Sequence, residues 1–329
     1  MLPDELSIID RYFRPLAGEG AFALRDDAAV LEVSPEHDLV ITTDMIARGV
    51  HFLDDPADTI AQKALRVNLS DLAGKGATPV GYVLSLALSP DIDAAWLDAF
   101  ADGLRKDQRR YTLKLLGGDT IVVPDRPVIS VTAFGTVPKG RMVRRSGGRP
   151  GDELYVSGMI GGSEAGLAVL KGEPGPWSDL AKWERDVLVT RYRVPEPRTG
   201  LAPALLEFAS AAMDVSDGLV GDCDKLAAAS GCSAVIEAER VPLPPGFAGQ
   251  RDATLVARFL TAGEDFEILA AVRPEKAVAF VDAAKRAGVP VARIGALTEG
   301  TDQTMVLFEG TQLSLSKRAF VHGGIEKAK

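Results

Sequence analysis

A chain of 329 residues, 46% hydrophobic and 25% charged, has the ordinary globular mix, and its length favours two domains over one. Its net charge of −9, from 37 basic and 46 acidic residues, argues against nucleic acid and against anionic membranes as partners. Two cysteines, Cys223 and Cys232, with no C-x-x-C spacing exclude a disulfide scaffold and read as reduced thiols. The opening MLPDELSIID is acidic and amphipathic, without the basic and apolar regions of a signal peptide, and no apolar run reaches the length of a membrane span. The expected compartment is the cytoplasm.

In chain order, Leu39 to Thr43 is apolar and β-branched and predicts a strand ending at Asp44. Asp58 reads as an N-cap, and the spacing of Ile60, Ala64, Val67 and Leu72 predicts a helix over 59–73. A strand over 80–88, a helix over 96–111, a strand over 113–116 running into Gly117-Gly118-Asp119, and a strand over 127–137 follow. Pro138 to Asp152 is rich in Gly, Pro and Arg and is the clearest seam, dividing the chain into domains 1–138 and 139–329. Beyond it lie a strand over 153–156, helices over 163–170, 177–192 and 199–210, a strand over 213–216 and a helix over 217–229. A strand over 266–272, a helix over 275–287 and short strands over 291–294 and 304–308 close the chain. Strands and helices alternate in both halves, with hairpin-like partners among the strands, so the expected class is α+β, as two sandwich domains rather than one doubly wound sheet.

The informative residues are aspartates in small-residue turns: Arg25-Asp26-Asp27-Ala28, Thr42-Thr43-Asp44, Asn68-Leu69-Ser70-Asp71, Gly117-Gly118-Asp119 and Asp214-Val215-Ser216-Asp217-Gly218. Several fall where a predicted strand ends, and Asn68 and Asp71 share a helix face. Any one of them alone reads equally as a cap or turn residue, and Asp217 also reads as the cap of the helix after it. Together they supply the hard oxygen ligands that Mg²⁺ requires, and bound Mg²⁺ would let an acidic protein hold a polyphosphate. No G-x-x-x-x-G-K-[ST] occurs, which excludes a P-loop. The loop from Gly158 to Ser163 reads either as a phosphate cradle at a helix N-terminus or as a tight structural turn. The arginines Arg141, Arg144, Arg145 and Arg149 read as a solvated basic loop or as phosphate contacts. Of three histidines, His37, His51 and His322, His51 reads as a substrate contact or a turn residue.

The ordered set D-D-A-A-V, T-T-D, N-L-S-D-L-A, G-G-D-T, R-S-G-x-x-P-G-D, D-V-S-D-G-L and G-E-D-F-E resembles the thiamine-monophosphate kinase family, within the superfamily of aminoimidazole ribonucleotide synthetase. The likeness runs from the N-terminus to about His322. It implies two α/β sandwich domains, a homodimer whose N-terminal domains form a shared barrel, and transfer of the ATP γ-phosphoryl group to thiamine monophosphate. Carried over motif by motif, Mg²⁺ ligands would be Asp27, Thr43, Asp44, Asp71, Asp119, Asp214 and Asp217, with Thr42 beside them. Gly118, Arg145 and Ser216 would contact ATP, and His51, Glu264 and Phe320 the thiamine side. Phe320 reads either as a ring stacked on thiamine or as a core residue of the C-terminal tail. Asp44, Asp119 and Arg145 would act most directly on the transferring group. Three residues depart from the family pattern: Arg25 replaces a glycine, Lys75 a methionine and Phe266 a tyrosine.

The nucleophile implied is a substrate phosphate oxygen, ionised already because its second pKa is about 6, so direct in-line transfer needs no general base. Selenophosphate synthetase fits less well because no cysteine lies near the N-terminus, and the hydrogenase-maturation relative because the chain ends Glu326-Lys327-Ala328-Lys329 rather than in cysteine. A non-catalytic nucleotide-binding regulator is the reading from another class.

Overall fold

Asp4 caps a short first helix, α1 (Glu5–Ile8), by accepting the Ser7 amide at 3.0 Å. The alternation of exposed and covered side chains that starts at His37 then makes β1 (His37–Ala47), which runs through Asp44 instead of stopping there. In this computed structural model residues 3–247, 249 and 252–321 are described; Met1, Leu2, His322 and the C-terminal Glu326-Lys327-Ala328-Lys329 lie outside them. The chain divides into two compact units, Met1–Met142 with Arg193–Leu206, and Val143–Tyr192 with Glu207–Lys329. The first unit thus takes back a segment from beyond the Gly/Pro/Arg-rich seam.

In the first unit, α2 (Ala57–Gly74), β2 (Thr78–Leu88), α3 (Ala94–Tyr111), β3 (Lys114–Val122) and β4 (Val128–Pro138) follow β1. The strands form one sheet in the order β1-β4-β2-β3, antiparallel except for the parallel pair β2–β3. Gly117 and Gly118 do not break β3: a Cβ on Gly118 would lie 1.8 Å from the Leu84 carbonyl oxygen, so only glycine lets the two strands approach here. The N-cap of α2 is Pro56, not Asp58. Asp58 is the second residue of the helix and pairs with Lys106 at 2.8 Å, while Asp55 turns to the Leu53 amide and to Arg193.

The helix α2 is buried along most of its length, including Lys63 and Arg66. Arg66 meets the buried Asp107 of α3 through two bonds of 2.7 and 2.8 Å and reaches the Pro195 carbonyl at 3.0 Å. That arrangement, with Arg193 on Asp55 at 2.6 Å, ties the 193–206 segment to the first unit.

The second unit holds β5 (Glu153–Ser157), α4 (Gly162–Leu170), α5 (Lys182–Arg193), α6 (Ala202–Phe208), β6 (Ala209–Val215), α7 (Leu219–Ala229), β7 (Ser233–Glu237), α8 (Ala253–Leu260), β8 (Glu267–Val272), α9 (Ala277–Arg286), β9 (Val291–Thr298), β10 (Met305–Phe308) and β11 (Thr311–Gln312); the end of α5 and most of α6 count with the first unit. Seven strands make one sheet in the order β11-β10-β7-β9-β5-β8-β6. Leu154, Val156, Ala211, Met213 and Val215 point into a core shared with α4, α7 and α8. Tyr155 points the other way, onto Phe280 of α9 with ring centroids 5.4 Å apart, so both faces of the sheet are covered.

Two further expectations are corrected here. The helix expected over 177–192 is a 3-10 turn, Pro176–Asp179, and then α5, because Leu180 is extended. The helix expected to reach Ser210 ends at Phe208, where Ser210 bonds the Asp152 carboxylate and the Ala271 carbonyl and enters the sheet. Neither β7 nor α8 was expected from the sequence. Because Arg66 and Asp107 are both buried, removing one charge strands the other. Asp107→Ala should therefore destabilise the chain by about 3–5 kcal/mol, read as a drop in urea midpoint; an unchanged midpoint would show the pair to be dispensable.

Candidate functional site

Register decides where the first-unit residues face. Asp44 lies in one row with Val131, Leu84 and Gly118, while Asp119 lies in the next row with Ser85, Ser130 and Met45. Paired residues share a face and successive residues alternate, so Asp44 and Thr42 face one side of the sheet and Asp119 and Thr43 the other. β1 and β3 are also the two edges, about 14 Å apart at three strand spacings. Asp44 and Asp119 therefore do not converge within this unit, contrary to what turns at strand ends suggest.

Each instead has its own neighbours. On the α2 side the Thr42 hydroxyl donates to Asp71 at 2.5 Å, and Asp44 is two residues along the same strand face. Asn68, one turn before Asp71 and buried, donates to the Ala64 carbonyl at 3.0 Å, while its Oδ1 has no hydrogen-bond partner among the described residues. Asp27, Gly118 and Asp119 line a separate cleft of about 390 Å³, with Asp26, Leu84 and Thr120. Thr43 is engaged with the Val131 carbonyl and with Thr132. His51 organises a turn: its Nδ1 accepts the Ala47 amide at 3.2 Å, its amide donates to the Ala47 carbonyl, and its carbonyl accepts Lys63 at 2.6 Å. The Nδ1 of His51 is therefore unprotonated in this geometry.

The second unit gathers a constellation around the C-terminal end of β6. Asp214 is buried and, alternating with Met213 and Val215, faces away from the α7 core. Beyond it, the Glu264 amide donates to the Ser216 carbonyl at 2.7 Å and the Phe320 amide to the Asp217 carbonyl at 2.8 Å. Ser216, Asp217, Glu264 and Phe320, far apart in sequence, thus share one corner, and Phe320 is exposed rather than a core residue. Arg145 does not share it: its carbonyl accepts Ser230, just past the far end of α7, and the helix separates its backbone from the turn by about 16 Å.

Two residues that organise this corner were missed. Asp222, fully buried, accepts the Ser216 and Asp217 amides at 3.0 Å each and Lys225 at 2.8 Å. Lys225 also holds Asp217 at 2.5 Å. Burial pushes the Asp222 carboxyl above its ordinary range, and Lys225 opposes that. The signal available was spacing: Asp222 lies one helical turn inside α7, where a carboxylate can reach back to the preceding amides. The Gly158–Ser163 loop proves to be structural, because the fully buried Asp265 already accepts the Gly161 and Ser163 amides at 2.7 and 3.2 Å.

Among the described residues no three acidic, histidine or cysteine side chains gather as a metal cluster. The donors present are oxygens in small sets: Asp71 with Thr42, with Asp44 two residues along the same strand face, and Asp27 and Asp119 lining one cleft. Such partial shells fit Mg²⁺, which is commonly held by one or two carboxylates with water and phosphate oxygens completing the octahedron. The uncompensated Asn68 Oδ1 is a further hard donor on the α2 side.

Two expectations can be checked directly. Gly118→Ala should force β2 and β3 apart and cost at least about 2 kcal/mol of stability, read by thermal unfolding; a normal Tm would show that the strands yield. Burial pushes the Asp265 carboxyl from 3.8 up to about 7, against the Gly161 amide and Arg191, which favour its charge. Between those two values the folded chain holds a proton that the unfolded chain has released, so stability falls as pH rises through that window. Asp265→Asn lacks this loss, and its Tm relative to wild type should rise across the window and level off above it; a constant difference would contradict the shift.

Residues 25–137 match the N-terminal domain and residues 149–307 the C-terminal domain of the family described as AIR synthase related protein. Thiamine-monophosphate kinase of Caulobacter vibrioides is 41% identical over 329 residues, covering 98% of this chain and 91% of that one. Among solved structures, thiamine-monophosphate kinase from Stenotrophomonas maltophilia K279a has a TM-score of 0.78 at 33% identity, over 87% of this chain and 90% of that one. AaThiL, complexed with AMPPCP and TMP, has a TM-score of 0.75 at 28% identity, over 96% and 97%. These likenesses bear out the two-domain α/β architecture expected from the motifs, and with its two domains in that order and a relative this similar along nearly its whole length, the chain belongs to the thiamine-monophosphate kinase family.

Proposed function

We propose that this chain transfers the γ-phosphoryl group of ATP to thiamine monophosphate, forming thiamine diphosphate. The observation that carries the reading is the near-full-length likeness to AaThiL, whose structure holds AMPPCP and TMP. The compartment we assign is the cytoplasm; no helix of the described residues is long and apolar enough to cross a membrane.

Magnesium, when bound, neutralises phosphate charge and orients the transferring group. Asp44 and Asp71 with Thr42 would hold one ion, and Asp27 with Asp119 another, since the sheet separates Asp44 from Asp119. Asp214 and Asp217 would be the metal ligands of the second unit, and Thr43 would offer an oxygen on the Asp119 face of the first. Gly118 and Ser216 would approach the nucleotide closely, and the exposed Arg145 would supply a guanidinium to the transferring phosphoryl. His51, Glu264 and Phe320 would bind the thiamine side. The substrate phosphate is its own nucleophile, and the in-line displacement requires no base from the chain.

We further assign a homodimer. Leu39, Ile41, Met45 and Ile121 are 41%, 59%, 60% and 52% exposed on one sheet face, and a second copy covering that face would close a barrel.

Purified protein with ATP, Mg²⁺ and thiamine monophosphate should form thiamine diphosphate, detected by chromatography, with none from free thiamine. Asp44→Asn and Asp119→Asn should each lower turnover by about a hundredfold or more while keeping the fold, and near-normal activity in both would remove them as metal ligands.

A further inference from the structure

Glu264 has a backbone φ of 73° and Phe266 a φ of 50°, in the left-handed region that side chains other than glycine adopt only when their surroundings enforce it. The enforcing contacts are visible. The Glu264 amide is fixed on the Ser216 carbonyl at 2.7 Å and the Phe266 amide on the Val215 carbonyl at 2.8 Å. The Glu264 carbonyl accepts the Ser163 hydroxyl at 2.5 Å. Between the two strained residues, the Asp265 carboxylate takes the Gly161 and Ser163 amides at the start of α4, and Arg191 bonds the Asp265 carbonyl at 3.3 Å and Glu267 at 2.6 Å. Ser163 therefore serves twice, its amide on Asp265 and its hydroxyl on Glu264.

We propose that Asp265 is a positioning residue for thiamine monophosphate: by tying the 263–267 turn to the first turn of α4, it holds Glu264 in its left-handed conformation beside Ser216 and Phe320 without itself touching substrate. This rests on the reading of Glu264 as a thiamine-side contact. Asp265 is 1% exposed and its carboxylate is occupied by backbone amides, so its influence on substrate passes through the turn. An asparagine has the same size but turns an N–H₂ toward one of those two amides, leaving a buried donor unsatisfied and the turn free to relax.

The test compares wild type, Asp265→Asn, Glu264→Gln and the double variant, each checked for native circular dichroism. Asp265→Asn should raise KM for thiamine monophosphate about tenfold, with KM for ATP changed less than about twofold. Glu264→Gln should raise the same KM, and the double variant should be no worse than the poorer single one, because both act through one contact. If Asp265→Asn fails to fold, Ser163→Ala removes the hydroxyl bond to Glu264 while leaving the carboxylate, and should show the same selective rise. An unchanged KM in Asp265→Asn beside a raised one in Glu264→Gln overturns the positioning role alone. No effect of Glu264→Gln overturns both the role and the reading of Glu264. Equal losses toward ATP and thiamine monophosphate would make Asp265 merely structural and also overturn the role.

Discussion

Carboxylates repel one another and repel phosphate, and the placement of this chain's aspartates answers that constraint. Those that are fully buried are surrounded by fixed positive partners: Asp107 by Arg66, Asp222 by two amides and Lys225, Asp265 by two amides near Arg191. Of those assigned to metal, Asp71 and Asp119 are more open and more lightly held, Asp71 by the Thr42 hydroxyl and Asp119 by the Thr120 amide, whereas Asp214 is buried. A buried carboxylate whose oxygens are occupied by fixed donors shapes the backbone, whereas an exposed one with spare lone pairs can still take a cation. Asp217 stands between the classes, because Lys225 holds one of its oxygens while the side chain remains partly exposed.

The sheet of the first unit adds a geometric limit. A strand can offer side chains to one side only at alternate residues, so Thr42 and Asp44 reach α2 while Thr43 faces the opposite surface. The neighbours Thr42 and Thr43, adjacent in one motif, accordingly belong to different surroundings. Within this unit Asp44 and Asp119 therefore do not share one ion.

The motifs made the family and the acidic residues legible, because each motif is short and its residues keep their order. Strand ends were less legible. Gly117-Gly118 reads locally as a break, yet at Gly118 the glycine exists so that β3 can continue against Leu84, a non-local cause that no window of sequence contains. Asp58 has the chemistry of a cap, but Pro56 and the pull of Arg193 on Asp55 set the start of α2 elsewhere. The roles of Lys225 and Asp265 were unreadable for a related reason, because their partners are backbone amides and carboxylates fixed by the fold, and Asp222 offered only its spacing within α7.

The same non-locality explains why the 263–267 turn sits where it does. Left-handed backbone at Glu264 and Phe266 costs of order 1–3 kcal/mol per residue, which the surrounding contacts must offset. Here the turn is clamped from three directions, by β6, by the start of α4 and by Arg191. Phe266 is buried and locks the turn from within, while Glu264 is left partly open beside Phe320. Strain shared between a partly open residue and a buried one, and held by clamps on three sides, is a distribution suited to a side chain that must meet a ligand in one orientation. The contacts of α4 and β6 are thus what give this corner its shape, because the core of the second unit fixes the backbone of a turn whose Glu264 stays partly open.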